Sequence, residues 1–268
     1  MSTIDTLLTD SDGTLVNTPD LIRHGQFEAS KQYLTHHGIP AEDIPTFSVY
    51  DGFLHQTVGG RTRDTIESTV RLLYQHQPDY LTGIDFDELY SLLDPIQDRL
   101  APEYIKAYPG LDELFANLGR MGIKLGIFSS GDQRMIVRNI GFALPELGLF
   151  DLYKDPKFSN QEKLDLFTNT VKDRYKLPAF TVVTSDDTDA HKPNPAGLNL
   201  ALQRLGSEPA RTAGMGDHKF DMQASSNAGL PVRIGVTHGF DDEAALRAAG
   251  ATDIIELLSE VPAILAGK

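Results

Sequence analysis

The sequence contains no cysteine and no tryptophan. Without cysteine the chain cannot form disulfide bonds, zinc-thiolate sites, cysteine-ligated iron-sulfur clusters or thiol nucleophiles, so any catalysis must use oxygen and nitrogen groups. Positive charge is also scarce, because 24 lysines and arginines face 38 aspartates and glutamates, a formal net charge of −14. A general surface for nucleic acid needs clustered cations, so we expect no nucleic acid partner.

Long apolar runs are missing as well. No segment approaches the roughly 18 consecutive apolar residues of a membrane span, and the first residues lack the cationic and apolar stretches of a secretion signal. We therefore expect a cytoplasmic protein with no membrane partner. The chain does have 40% hydrophobic residues in a length of 268, enough for one large domain or for a large and a small one.

Strand patterns and helix patterns alternate through most of the chain. Residues 3–9, 124–128, 180–184, 212–215 and 232–236 have the composition of buried strands, and helical periodicity separates the later ones. Parallel strands need crossover connections, which helices provide. The alternation therefore predicts the α/β class, with a doubly wound parallel sheet.

A purely helical block interrupts this alternation. Its helical segments are residues 21–37, 64–76 and 86–104. No convincing strand lies between them. We therefore predict an α/β core formed by residues 1–17 and 107–268, with residues 18–106 inserted as a helical cap domain.

Polar side chains follow four of the predicted strands at their carboxyl ends. They are Asp10 and Asp12, Ser129 and Ser130, Lys192 in the loop after residues 180–184, and Asp217 with Asp221. Ligands of an open parallel sheet collect at these ends, so we expect the groups to face one crevice. Crowded carboxylates resist full ionisation without a cation, and oxygen donors suit Mg²⁺. The sequence therefore predicts a Mg²⁺ site.

A metal beside a carboxylate, a lysine and a hydroxyl suits phosphoryl transfer, which needs positioning and charge neutralisation. Asp10 is the candidate nucleophile that forms an aspartyl-phosphate, and Asp12 is the candidate proton carrier. Lys192 would neutralise the nucleophile and the phosphoryl group. Ser129, or Ser130 in its place, would bind phosphate oxygens together with backbone amides of the following turn.

Two of these residues also have purely structural interpretations. Ser129 could serve as a helix N-cap, and Asp221 could cap the start of its own helix. Both interpretations are compatible with a role in a site, so the sequence leaves them open.

The same residues lie in four motifs that resemble those of the haloacid dehalogenase superfamily. The motifs are Asp10-Ser11-Asp12-Gly13-Thr14-Leu15, the apolar strand before Ser129, Lys192-Pro193-Asn194-Pro195 and Gly216-Asp217-His218-Lys219-Phe220-Asp221. The resemblance implies a Rossmann-like core with a helical cap. It implies that Mg²⁺ is ligated by Asp10, the backbone carbonyl of Asp12 and the side chain of Asp217. Asp221 would assist from outside the direct ligands.

Asp12 indicates which activity within the superfamily the resemblance implies. Dehalogenases proper lack a carboxylate there because a halide leaves without a proton, whereas phosphatases and phosphomutases keep it. Residues 235–240 and 246–255 are similar to those of phosphoglycolate phosphatases. The implied activity is a Mg²⁺-dependent phosphatase of a small anionic phosphomonoester such as phosphoglycolate. A β-phosphoglucomutase-like mutase and a non-catalytic phospho-aspartate switch remain alternatives, and residues 157–176 form a helix whose role the resemblance does not explain.

Two arginines in the helical block are candidate substrate-binding residues. The turn Gly59-Gly60-Arg61-Thr62-Arg63-Asp64 resembles the cap substrate loop of such phosphatases and of β-phosphoglucomutase, where an arginine meets a second anionic group. Arg63 matches that role better than Arg61, and a guanidinium suits a carboxylate or a second phosphate. The expected partner is a small phosphorylated metabolite, and the sequence is compatible with a monomer or a homodimer.

Overall fold

The computed structural model describes residues 3–57 and 62–268. Its packing divides the chain into two units. The first combines Met1–Asn17 with Ile105–Lys268, and the second is Thr18–Tyr104. The second unit is therefore an insertion into the first, which carries both ends of the chain.

The inserted unit is helical in all of its described secondary structure apart from turns. Its α-helices are α1 (Pro19–His36), α2 (Phe47–Thr57), α3 (Thr62–Leu73), α4 (Phe86–Ser91) and α5 (Leu93–Tyr104). Apolar residues at helical spacing, such as Ile66 and Val70, are buried within it. The periodicity of residues 86–104 predicts one helix, but the structure has two helices, which are separated at Leu92.

The first unit is built on two sheets. In chain order its strands are β1 (Thr6–Thr9), β2 (Val16–Asn17), β3 (Lys106–Ala107), β4 (Lys124–Phe128), β5 (Phe180–Val183), β6 (Thr212–Gly216), β7 (Val232–Val236) and β8 (Asp253–Ile255). Six of them form a parallel sheet in the order β5-β4-β1-β6-β7-β8, and β2 pairs antiparallel with β3. The predicted α/β class with a doubly wound parallel sheet and a helical insertion is confirmed.

The register of the central strands determines where the polar residues lie. Thr9 at the end of β1 is paired with Ile127 of β4 and with Met215 of β6. These three strands therefore end at the same level. The residues that follow them, among them Asp10 and Asp217, leave the sheet at one edge.

Helices cover the sheet of the first unit. They are α6 (Leu111–Met121), α7 (Gln133–Ala143), α8 (Asn160–Tyr175), α9 (Ala196–Leu205), α10 (Lys219–Asn227), α11 (Glu243–Ala248) and α12 (Val261–Ala266). Among the described residues, no helix is both long enough and apolar enough to cross a lipid bilayer.

Helix α8 accounts for the unexplained segment 157–176. Ser159 and Glu162 form a capping box at its start, which fixes where the helix begins. Its apolar side chains, including Phe167 and Val171, are buried in the first unit. The segment is therefore a core helix in the connection between β4 and β5.

Gly119 brings α6 close to the end of α8. A Cβ atom at this position would overlap the backbone carbonyl oxygen of Tyr175, which cannot move away as a side chain could. Replacing Gly119 with alanine should force the two helices apart. We expect the free energy of unfolding to fall by about 1–3 kcal/mol, measured by urea denaturation followed by circular dichroism.

Gly52 provides the matched control, because it is also inside a helix but has open space around it. Alanine at Gly52 should leave stability unchanged or raise it by up to about 1 kcal/mol. Equal stability of the two variants would contradict the close helix contact.

Candidate active site

Three buried carboxylates converge at the carboxyl edge of the parallel sheet. Asp10 follows β1, Asp217 follows β6, and Asp221 lies in the first turn of α10. Each offers one oxygen, and these oxygens lie within 4.8 Å of one another. Asp217 is only 1% exposed. The structure thus brings together three side chains that are up to 211 positions apart in the sequence.

Lys192 joins this cluster from the loop after β5. Its Nζ pairs with Oδ1 of Asp10 and lies 2.7 Å from Oδ1 of Asp221. It also lies 4.3 Å from the centre of the Phe128 ring, at the end of β4. The ammonium is therefore held by two carboxylates and one aromatic face, and it is 8% exposed.

The charges of this cluster do not balance. Burial raises the pKa of Asp10 well above its usual range; Lys192 lowers this pKa, and the neighbouring carboxylates raise it further. Burial likewise raises the pKa of Asp217 to about 7, and Asp221 adds to that shift. Burial disfavours a charged Lys192, but Asp10 and Asp221 outweigh it and raise its pKa. When all three carboxylates are ionised and Lys192 is protonated, the cluster has a net charge of −2. A divalent cation would neutralise this charge.

Asp217 is held by groups from two other loops. Thr14 donates its hydroxyl to Oδ1 at 2.7 Å, and the backbone amide of Phe240 donates to Oδ2 at 2.9 Å. Gly13 and Gly239 lie against the same carboxyl, and a Cβ atom at either position would overlap it. Gly13 also has a φ of 84°, which favours glycine. Sequence reasoning assigned no role to Thr14 or Gly239.

Asp221 fulfils two functions in the structure. Its Oδ2 accepts the backbone amide of His218 at 3.0 Å, which completes a capping box at the start of α10. Its Oδ1 faces Lys192. The structural interpretation of Asp221 is therefore correct, and the same carboxyl still contributes to the charged cluster.

Ser129 and Ser130 follow β4, the strand next to β1. Ser129 is buried, and its hydroxyl oxygen accepts the backbone amide of Gly131 at 3.0 Å, while Ser130 is half-buried. The N-cap of α7 is Asp132, so the interpretation of Ser129 as that cap is wrong. Because the Ser129 hydroxyl accepts in this turn, its own proton is available for donation.

Asp12 lies two residues beyond Asp10 and is half-buried. Its Oδ1 accepts a hydrogen bond of 2.7 Å from Nδ2 of Asn139 on α7. Sequence reasoning did not single out Asn139, because one polar residue in an amphipathic helix resembles a solvent-facing position.

The two candidate arginines belong to the inserted unit. Arg63, in the first turn of α3, is exposed and pairs with Asp87 in α4 of the same unit. Arg61 lies outside the described residues, as do Gly59 and Gly60 of the same turn. The substrate-binding roles of Arg63 and Arg61 therefore stay predictions.

Two family profiles, both described as haloacid dehalogenase-like hydrolase, match residues 4–165 and 167–234. Among curated proteins, pyrophosphatase PpaX of Bacillus mycoides is 26% identical over 262 residues, 98% of this chain and 97% of that protein. PpaX of Bacillus velezensis is 27% identical over 232 residues, 84% of this chain and 80% of that protein.

Solved structures share the fold. A protein described as a predicted phosphoglycolate phosphatase from Haemophilus somnus matches with a TM-score of 0.72 and 16% identity, covering 98% of this chain and 99% of that one. CbbY from Rhodobacter sphaeroides, solved with phosphate, matches with a TM-score of 0.60 and 20% identity, covering 96% of each chain.

The close approach of Gly239 to Asp217 makes a prediction about cation binding. Alanine at Gly239 should push the Asp217 carboxyl out of the cluster and weaken Mg²⁺ binding by about 10-fold to 100-fold, measured by calorimetric titration with MgCl₂. Gly267→Ala serves as the control, since a Cβ there meets only ordinary contacts. Unchanged Mg²⁺ affinity in a folded Gly239→Ala variant would contradict a cation site at Asp217.

Proposed function

The chain belongs to the haloacid dehalogenase-like hydrolases, and we propose that it is a Mg²⁺-dependent phosphatase of a small anionic phosphomonoester. The observation that carries this proposal is the buried cluster of Asp10, Asp217 and Asp221 with Lys192 on Asp10. Phosphoglycolate is the favoured member of the substrate class.

The donor set suits Mg²⁺ because its side-chain groups are carboxylate oxygens with an excess of negative charge. In this proposal Asp10, Asp217 and the backbone carbonyl of Asp12 would hold the ion. Asp221, which pairs with Lys192, would support the site without binding the ion directly. When bound, Mg²⁺ supplies positive charge that neutralises the phosphoryl oxygens and the carboxylates facing them.

Asp10 acts as the nucleophile in the first half of the reaction. One of its carboxylate oxygens forms a bond to phosphorus while the bond from phosphorus to the leaving oxygen breaks. The electron pair of that bond stays on the leaving oxygen, which takes a proton from the Asp12 carboxyl. Lys192, already paired with Asp10, compensates the charge of the transferred group.

The second half releases phosphate and restores the enzyme. Asp12, now ionised, takes a proton from water while the water oxygen forms a bond to phosphorus. The bond between phosphorus and Asp10 breaks, which yields inorganic phosphate and the Asp10 carboxylate. Ser129 donates its hydroxyl to a phosphate oxygen in both halves, with Ser130 as the alternative donor.

In this proposal, residues of the inserted unit determine which substrate is bound. Arg63 is engaged with the Asp87 carboxylate. A substrate carboxylate or second phosphate offers the same bidentate chemistry and could replace Asp87 as the partner. Arg61 is the second candidate for that contact. Closure of the inserted unit during the reaction would also exclude bulk water from Asp10 while the phosphoryl group is transferred.

Pyrophosphate is a second candidate substrate, favoured by the similarity to curated PpaX pyrophosphatases over nearly the whole chain. It is small and anionic, and its second phosphate is the kind of group that a guanidinium binds. The mutase alternative would show a requirement for a bisphosphate activator. A phospho-aspartate switch has no use for the proton carrier Asp12, so the residues favour an enzyme over a switch.

Substitution of the two loop aspartates tests the proposed reaction. Asp10→Asn should abolish hydrolysis of p-nitrophenyl phosphate, because an amide cannot act as the nucleophile. Asp12→Asn should leave a slowly hydrolysed aspartyl-phosphate, with turnover reduced by about 100-fold or more. Acid-quenched phosphoenzyme and released phosphate are the measurements.

The exposed Asp165→Asn variant is the control and should behave as wild type. Wild-type activity in Asp10→Asn would exclude the mechanism. Accumulation of a long-lived phosphoprotein from acetyl phosphate in the wild type, without turnover, would favour the switch.

Metal removal tests the cofactor and the substrate together. Chelation with EDTA should abolish activity, and MgCl₂ should restore it. A screen of phosphoglycolate, sugar phosphates, nucleotides and pyrophosphate in the restored enzyme then ranks substrates by kcat/KM. Full activity after exhaustive chelation would contradict the metal requirement.

A further inference from the structure

Asp12, the proton carrier of the proposed reaction, is held by a side chain from α7. Nδ2 of Asn139 donates to its Oδ1 at 2.7 Å. Asn139 is 4% exposed, so it lies inside the protein while Asp12 is half-buried. The hydrogen bond fixes the acidic loop after β1 to a helix of the same unit.

Arg138 determines which way round the Asn139 amide lies. Its Nε donates to Oδ1 of Asn139 at 3.0 Å. Arginine carries only donors, so it must face the amide oxygen, and the amide nitrogen then faces Asp12. With the amide turned over, its nitrogen would face Nε of Arg138, donor against donor. Its oxygen would then face the carboxyl oxygen of Asp12, acceptor against acceptor. The direction of the hydrogen bond to Asp12 is therefore fixed.

Polar residues are unusual at the buried positions of Arg138 and Asn139. Around them on α7 the buried side chains are apolar, among them Ile136, Val137 and Ile140. Arg138 is 1% exposed, and a buried polar group destabilises a protein unless it is hydrogen bonded. Apolar residues would fill this part of the helix without that requirement. A role at Asp12 accounts for the polar pair.

We propose that Asn139 is a positioning residue for phosphoryl transfer, which holds the Asp12 carboxyl so that Oδ2 carries the transferred proton. This inference rests on the proposed function. The N–H donor occupies a lone pair of Oδ1, which favours the acid hydrogen on Oδ2. As the bond from phosphorus to the leaving oxygen breaks, that hydrogen moves from Oδ2 to the leaving oxygen. Asn139 itself neither gains nor loses a proton.

Two phosphoryl donors that differ in leaving group test the inference. Acetate leaves acetyl phosphate as a stable anion, whereas the phenoxide of phenyl phosphate depends more on protonation. In Asn139→Ala we expect kcat/KM to fall about 10-fold to 100-fold on phenyl phosphate and less than about threefold on acetyl phosphate. Asp12→Asn should show the same selective loss at larger size. Both values come from one preparation, so any loss of folded enzyme cancels in their ratio.

Asn117→Ala is the matched control. Asn117 also accepts from an arginine, Nη2 of Arg120 at 2.6 Å, but it lies on α6 at the surface. Its ratio should equal that of the wild type. Asn139→Ser keeps an acceptor for Arg138 but is too short to reach Asp12, and it serves as the second variant where the alanine variant does not fold.

The outcomes separate this inference from the proposed function. A wild-type ratio in the folded Asn139 variants, together with a shifted ratio in Asp12→Asn, overturns the positioning role and leaves the phosphatase proposal intact. No turnover of either donor by the wild type, or full activity of Asp10→Asn, overturns the phosphatase proposal itself. A selective loss in both Asn139 variants supports the positioning role.

Discussion

One buried ammonium among three buried carboxylates is the constraint on which the site depends. An ionised group taken out of water costs several kcal/mol unless nearby charges and hydrogen bonds compensate it. Lys192 compensates Asp10 and Asp221, and the remaining negative charge requires either protons or a cation. Asp217 has hydrogen-bond donors at both oxygens, which keep its carboxyl in place without neutralising it. The buried carboxylate cluster is thus consistent with a metal site.

Much of the core fold could be predicted because its strands are buried on both faces. Such strands are short apolar runs, and they end at polar residues where the chain leaves the sheet. Other elements gave no such signal. Strands β2 and β3 have two residues each, too few for any periodicity, and β8 has only three at the sheet edge. Helix α2 was missed because its apolar stretch is short. The break at Leu92 could have been predicted from Pro95, which has no N–H to donate to the carbonyl of Ser91, so a single helix over residues 86–104 was the wrong prediction.

The candidate site likewise contains residues that the sequence could predict and supporting groups that only the packed structure shows. Asp10, Asp217, Asp221 and Lys192 could be expected to meet, since each follows a strand at the same edge of one sheet, and their catalytic roles stay a prediction. The supports of these groups could not be foreseen. The donor from Phe240 is a backbone amide, which every residue but proline carries, and Gly239 matters through the side chain it lacks. Asn139 differs from a surface asparagine only in where α7 places it.

The antiparallel pairing of β2 with β3 joins the two points where the inserted unit leaves and re-enters the core. Val16 pairs with Ala107 and Asn17 with Lys106, so the main chain of the core is already closed before the first inserted residue. A turn of about two to five residues would suffice to connect Asn17 to Lys106. The segment between Asn17 and Lys106 can therefore change in length without altering the strand order of the six-stranded sheet.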